Sequence, residues 1–186
     1  MIKKIRLRIQ TVRRTIAESL FQDFFEDTPF PPEEIPKPEK IEMITQGVLK
    51  SSLGRIELKY AESELSGMEG TQTSVSFAED NPRLITVIRS GTVDSTLIFE
   101  EGTRHICQHV TPLATFDICV HTLSLFNTLA ENGKIVIEYN IEIRGASAEH
   151  CSLTISVLPM KTSERNARVP SRKRSDRTRP YEVSVR

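Results

Sequence analysis

Tryptophan is absent from this chain, and cysteine occurs only three times in 186 residues. A small, odd cysteine count argues against a disulfide framework and for a reducing compartment. A chain of this length builds a core without disulfides or metal. No apolar run approaches the ~18 residues that a membrane-spanning helix needs. The basic opening Met1-Ile2-Lys3-Lys4-Ile5-Arg6 is not followed by the apolar stretch of a secretory signal. These absences predict a cytoplasmic protein with no membrane partner. Internal repeats are also absent, and Gly67-Met68-Glu69-Gly70 lacks the Lys-Ser/Thr of a phosphate-binding loop, so it reads as a turn. No Ser-His-Asp or Cys-His arrangement is legible. No cofactor is implied.

An excess of either charge is missing as well, with 25 Lys/Arg against 25 Asp/Glu. The balance hides an asymmetry. Residues 161–186 hold nine Lys/Arg and three Asp/Glu, while residues 1–160 hold sixteen and twenty-two. The body is acidic and the tail basic.

What the chain does have is regular punctuation. Glycine-centred breaks at Gly54, Gly67/Gly70, Gly91, Gly102, Gly133 and Gly145 divide residues 41–160 into short alternating runs. Ile56, Leu58 and Tyr60 share one face and Glu57, Lys59 and Ala61 the other; Leu153, Ile155 and Val157 alternate likewise with polar neighbours. Strands are predicted over about 41–50, 55–65, 71–79, 83–89, 92–100, 103–111, 116–125, 134–143 and 148–158. Lys3 to Arg14 alternates as a further strand. Short connections without helices between them predict antiparallel neighbours. About ten strands in sequence would leave two open edges, and closing them into an up-and-down β-barrel removes both.

Three segments fall outside this pattern. Thr15-Ile16-Ala17-Glu18 carries the Thr and Glu of a capping box, and Ile16, Leu20, Phe21, Phe24 and Phe25 follow at helical spacing, so a short amphipathic helix is predicted over about 16–25. Its phenylalanine stripe packs on the barrel or serves as a docking face. Pro29, Pro31, Pro32, Pro36 and Pro38 then make an extended linker. Residues 1–160 form one barrel domain with residues 16–40 as an insertion. The Arg-, Ser- and Pro-rich residues 161–186 have the composition of a disordered tail.

Tyr60-Ala61-Glu62-Ser63-Glu64-Leu65-Ser66-Gly67-Met68-Glu69-Gly70-Thr71, followed in order by Arg89-Ser90-Gly91, Phe99-Glu100-Glu101-Gly102 and Thr111-Pro112, resembles the YwiB-like family of small bacterial β-barrel proteins. The resemblance covers about residues 41–157, with residues 5–15 as the first strand. It implies a closed, calycin-type, lipocalin-like barrel and no established activity. After Thr111-Pro112, where such proteins show an aromatic residue and glycine, this chain has Leu113 and Ala114.

Four constellations are candidates for function. The first is Tyr60, Glu62 and Glu64, which share a face with Ile56 and Leu58; Arg89 shares one with Ile85 and Val87. An inward carboxylate needs a cation or donors, so Tyr60, Glu62, Arg89 and His105 form either a polar ligand pocket or an arrangement built around a structural ion pair. The second is the hairpin bearing His105, Cys107, His109, Cys119 and His121. If paired residue numbers sum to 226, His105, Cys107, Cys119 and His121 would share a face as a Cys2His2 zinc set; a one-residue slip sends the two pairs to opposite faces. A Cys107–Cys119 disulfide is disfavoured in a reducing cell, and the bland alternative makes these barrel-lining or exposed side chains. The third is the phenylalanine-rich helix. The fourth is the tail, where Arg172, Lys173, Arg174, Arg177 and Arg179 either gather phosphates of RNA or are simply solvated.

These readings converge on a non-enzymatic cytoplasmic binding module, since small barrels hold one ligand in the lumen. The ligand, or a macromolecular partner, is unspecified. An RNA- or ribosome-associated protein using its tail is the alternative, and an enzyme with a polar barrel pocket the third.

Overall fold

Ile5, Leu7 and Ile9 are buried while Lys4 and Arg8 are exposed, so the alternation of the first strand becomes two faces of a wall. The computed structural model describes residues 1–16, 37–143 and 147–159. Ten strands follow in order: β1 (Ile2–Ile16), β2 (Glu39–Ser52), β3 (Arg55–Ala61), β4 (Gln72–Ala78), β5 (Asn81–Ser90), β6 (Asp94–Glu100), β7 (Arg104–Val110), β8 (Thr115–Thr128), β9 (Lys134–Ile143) and β10 (Ser147–Leu158). Each pairs antiparallel with its neighbours in sequence, and β1 also pairs with β10, from Arg6 opposite Leu158 to Ile16 opposite Ala148. The result is the closed up-and-down barrel that the glycine punctuation predicts, of the calycin-like kind that the family resemblance implies.

Three local expectations are corrected. Thr15 and Ile16 are strand residues, paired with Glu149 and Ala148, because a ladder partner is available there and outweighs the local capping preference. The rest of the expected helix and the linker up to residue 36 lie outside the described residues. Among the described residues the single α-helix is α1 (Leu129–Asn132), one turn between β8 and β9, not at the N-terminus. Finally, β3 stops at Ala61; Glu64–Ser66 forms a 3-10 turn, which takes Glu64 off the Tyr60 face and leaves it exposed.

Inside the barrel the side chains are layered. Towards the end carrying the β2–β3, β4–β5, β6–β7 and β8–β9 connections, the lumen is filled by Leu7, Ile56, Phe77, Ile85, Phe99 and Ile135, with Leu129 of α1 buried against them. Phe99 meets Tyr139 edge-on, ring centroids 4.9 Å apart, an arrangement that the opposed ring quadrupoles favour. The opposite end carries the β3–β4, β5–β6 and β7–β8 connections and is polar. Two features shape the wall near it. Gly47 of β2 lies opposite Ile5 and Tyr60. A Cβ there would sit 2.8 Å from both Leu7 Cδ1 and the Lys59 carbonyl, so the close approach of these strands requires glycine. The β6–β7 ladder is short, pairing only Asp94 with Val110 and Ser95 with His109. Beyond it the connection turns away, and the Gly102 and Thr122 N–H groups bond to the Thr122 and Thr103 carbonyls.

Candidate functional site

Register places one inward row of polar side chains across five strands. Tyr60 lies opposite Thr73, Thr73 opposite Arg89, Arg89 opposite Ser95, and Ser95 opposite His109. Directly opposed residues stand ~4.5–5.5 Å apart, so the row is a continuous belt. Below it lie Leu58, Val75, Val87 and Leu97, each two residues along its strand and almost fully buried. The belt is where the filled lumen ends. Thr73 is completely buried and Ser95 nearly so.

The belt is incompletely paired. The Thr73 hydroxyl donates to Glu62 Oε1 at 2.6 Å, and the Thr71 hydroxyl accepts the Val93 N–H at 3.0 Å. Arg89 Nε, Ser95 Oγ and His109 Nδ1, by contrast, are buried with no hydrogen-bond partner among the described residues. Nor does any described carboxylate form an ion pair with Arg89; Glu62, the expected partner, holds Thr73 instead. Such orphaned groups are uncommon in folded interiors and call for an explanation. Burial, then the nearby Arg89 charge, lowers the His109 pKa below its ordinary 6.5, so the ring is neutral at pH 7. Burial, then the Glu62 charge, raises the Tyr60 phenol above its ordinary 10, and it stays protonated.

Above the belt is space. A cavity of about 430 Å³ is lined by the polar Arg13, Arg89, His109, Thr111, Glu149 and Tyr139 and the apolar Val93, Leu97, Phe116, Ile118 and Ile141. A second, narrow cavity of about 40 Å³ adjoins Tyr60, Glu62 and Thr11 and shares Arg13, Ser66, Met68, Arg89 and Tyr139 with the first. Tyr60, Glu62 and Arg89 therefore come together along the narrow cavity. His105 does not. It points inward, but four residues from His109 along β7, which is ~13 Å toward the filled end, and its Nε2 lies 3.6 Å from Glu100 Oε2.

The hairpin register excludes the zinc set. Val110 pairs with Thr115 and Arg104 with His121 across the turn Thr111–Ala114, so paired numbers sum to 225 rather than 226. The Thr111 hydroxyl accepts the Ala114 N–H at 3.1 Å and fixes this even-numbered turn. His105 and Cys107 face inward opposite Val120 and Ile118, while Cys119 and His121 lie on the outer face. Among the described residues no group of three His, Cys, Asp or Glu side chains is placed to hold a metal. The three cysteines are unbridged, and Cys107 Sγ lies 3.7 Å from the Ile118 carbonyl. Burial foremost, then Cys119, pushes the Cys107 thiol up to about 11. Arg172, Lys173, Arg174, Arg177 and Arg179 lie outside the described residues.

Sequence reasoning missed Arg13, Thr73, Ser95 and Tyr139, and named His109 only in the histidine–cysteine hairpin, not in the pocket. A signal existed for two of them. Counting back through the tight Ser90-Gly91 turn sets Ser95 opposite Arg89, and His109 shares strand parity with His105.

A ten-stranded calycin-like barrel with one filled and one polar end defines a class of small β-barrel proteins. Residues 32–155 match the family described as Domain of unknown function (DUF1934), and the chain belongs to that family. The crystal structure of the ywiB protein from Bacillus subtilis is similar in fold, with 17% identity, a TM-score of 0.56, and coverage of 85% of this chain and 96% of that one. No curated protein matches the chain. No described helix is long and apolar enough to cross a membrane.

Proposed function

We propose that this protein is a binding module that takes a small molecule into the open end of its barrel. The observation that carries this reading is the pair of buried, unpartnered polar atoms on residues that line the roughly 430 Å³ cavity, Arg89 Nε and His109 Nδ1, with the unpartnered Ser95 Oγ between them in the belt. Leaving such groups unpaired costs ~1–3 kcal/mol each, and a ligand that pairs them recovers that cost on binding. The volume lies at the small end of the range of ligand pockets, ~300–1,000 Å³. Binding rather than catalysis is supported by the state of the nucleophiles among the described residues. Cys107 is a protonated thiol, and no described serine or cysteine is hydrogen-bonded to a histidine as an activated nucleophile requires.

Thermal denaturation in the presence of a library of small polar compounds tests the proposal. At least one compound is expected to raise Tm in the native chain and not in Ile141→Trp, whose indole occupies the cavity. If every stabilising compound acts equally on the filled variant, the open end is not the site.

RNA contact through the tail is a second reading, supported by the nine-to-three excess of basic residues in 161–186. Salt-dependent RNA binding lost on deleting those residues would establish it, and no binding at low salt would remove it.

A further inference from the structure

Resting on the pocket reading above, we infer that the ligand is an organic monocarboxylate whose carboxylate is held by Arg89. Arg89 is the central residue of the belt, between Thr73 and Ser95 on its neighbouring strands. Its guanidinium is a permanent cation with donors in a planar fork that matches a carboxylate bidentately. The side chain is half-buried, its Nε is fully buried without a partner among the described residues, and no described carboxylate forms an ion pair with the guanidinium. Glu62 accepts the Thr73 hydroxyl instead.

The surroundings narrow the ligand's class. The other belt groups beside the fork are neutral: the Ser95 hydroxyl has no partner and His109 is an uncharged ring. Arg13 brings a second positive charge to the cavity, while Glu149 and, from the adjoining narrow cavity, Glu62 bring negative ones. With no excess of positive charge, the site does not suit the two charges of a phosphate monoester. Phe116, Ile118 and Ile141 in the same lining offer an apolar surface to the body of the ligand. A single carboxylate on a small apolar frame satisfies both kinds of lining.

The contrast between benzoate and hexanoate and their amides, benzamide and hexanamide, tests the inference on the native full-length chain by calorimetric titration. Each acid is expected to bind at least tenfold more tightly than its amide, and benzyl phosphate more weakly than benzoate. Arg89→Gln should abolish the acid preference, with circular dichroism confirming the fold, and Arg89→Lys should keep part of it. The acid–amide comparison needs no variant, so a misfolded Arg89→Gln does not spoil the test. If amides bind as well as acids and Ile141→Trp blocks both, the carboxylate inference falls and the pocket reading stands. If benzyl phosphate binds best, a dianion site replaces the one inferred. If no acid or amide binds at millimolar concentration, the inference falls, and the compound library then decides the pocket reading separately.

Discussion

His109 and the cysteines show how the barrel sets the chemistry of single residues. Because burial and the Arg89 charge hold the His109 pKa below 6.5, the unfolded chain takes up a proton before the folded one as pH falls. Stability is therefore lost as pH drops from about 6.5 toward the folded pKa, and above 6.5 the residue contributes no slope. Urea denaturation at pH 7.5 and 5.5 is expected to show the loss, and His109→Gln to flatten it. Burial likewise pushes Cys107 and Cys151 each up to about 11. At pH 8 only about a thousandth of each is thiolate, against roughly a quarter of an unperturbed thiol. Iodoacetamide followed by mass spectrometry should label both far more slowly than a cysteine peptide. The inward direction of Arg89 and Tyr60 is legible in the sequence because each continues a run of apolar residues at period two. The state of His109 is not, since it depends on Arg89 arriving from a different strand.

At the level of elements, tight turns and short ladders decide what is rigid. Gly91 has φ +135°, and a Cβ there would collide with the Gly70 carbonyl oxygen. Gly91→Ala is expected to cost more than about 1 kcal/mol, measured by chemical denaturation. This contact ties the β3–β4 and β5–β6 connections together at the rim of the cavity. The β6–β7 hairpin is the opposite case. It pairs at two positions only, so amides on the facing edges of β6 and β7 should exchange with solvent sooner than those of the fully paired β1 and β10. Hydrogen exchange read by NMR resolves the two sets. The strands themselves are legible because glycine and alternation bound them. The register of β7 against β8 is not, because one residue in the Thr111–Ala114 turn decides whether Cys119 and His121 face in or out.

For the molecule as a whole, the filled end supplies the stability and the polar end holds the cavity. Phe99 is fully buried and packs against Tyr139. Phe99→Ala should cost ~3–5 kcal/mol and move the denaturation midpoint accordingly, while Arg13→Gln at the open end should leave it nearly unchanged. The barrel as a class is legible because uninterrupted hairpin connections leave few other ways to satisfy ten strands. Which end stays open is not, because that depends on how the large residues Phe77, Phe99 and Leu129 stack in three dimensions.

The pairing of β1 with β10 also constrains how the protein is made. During synthesis the first strand leaves the ribosome long before its last partner exists. At ~5–20 residues per second, the wait is on the order of ten seconds. Through that interval β1 has only β2 to cover it, and Ile5, Leu7 and Ile9 have no finished lumen to enter. Arrested chains ending at residue 146 should be degraded readily by protease, and chains ending at 159 should resist once released. A nascent barrel of this kind keeps the apolar face of its first strand uncovered until β10 arrives.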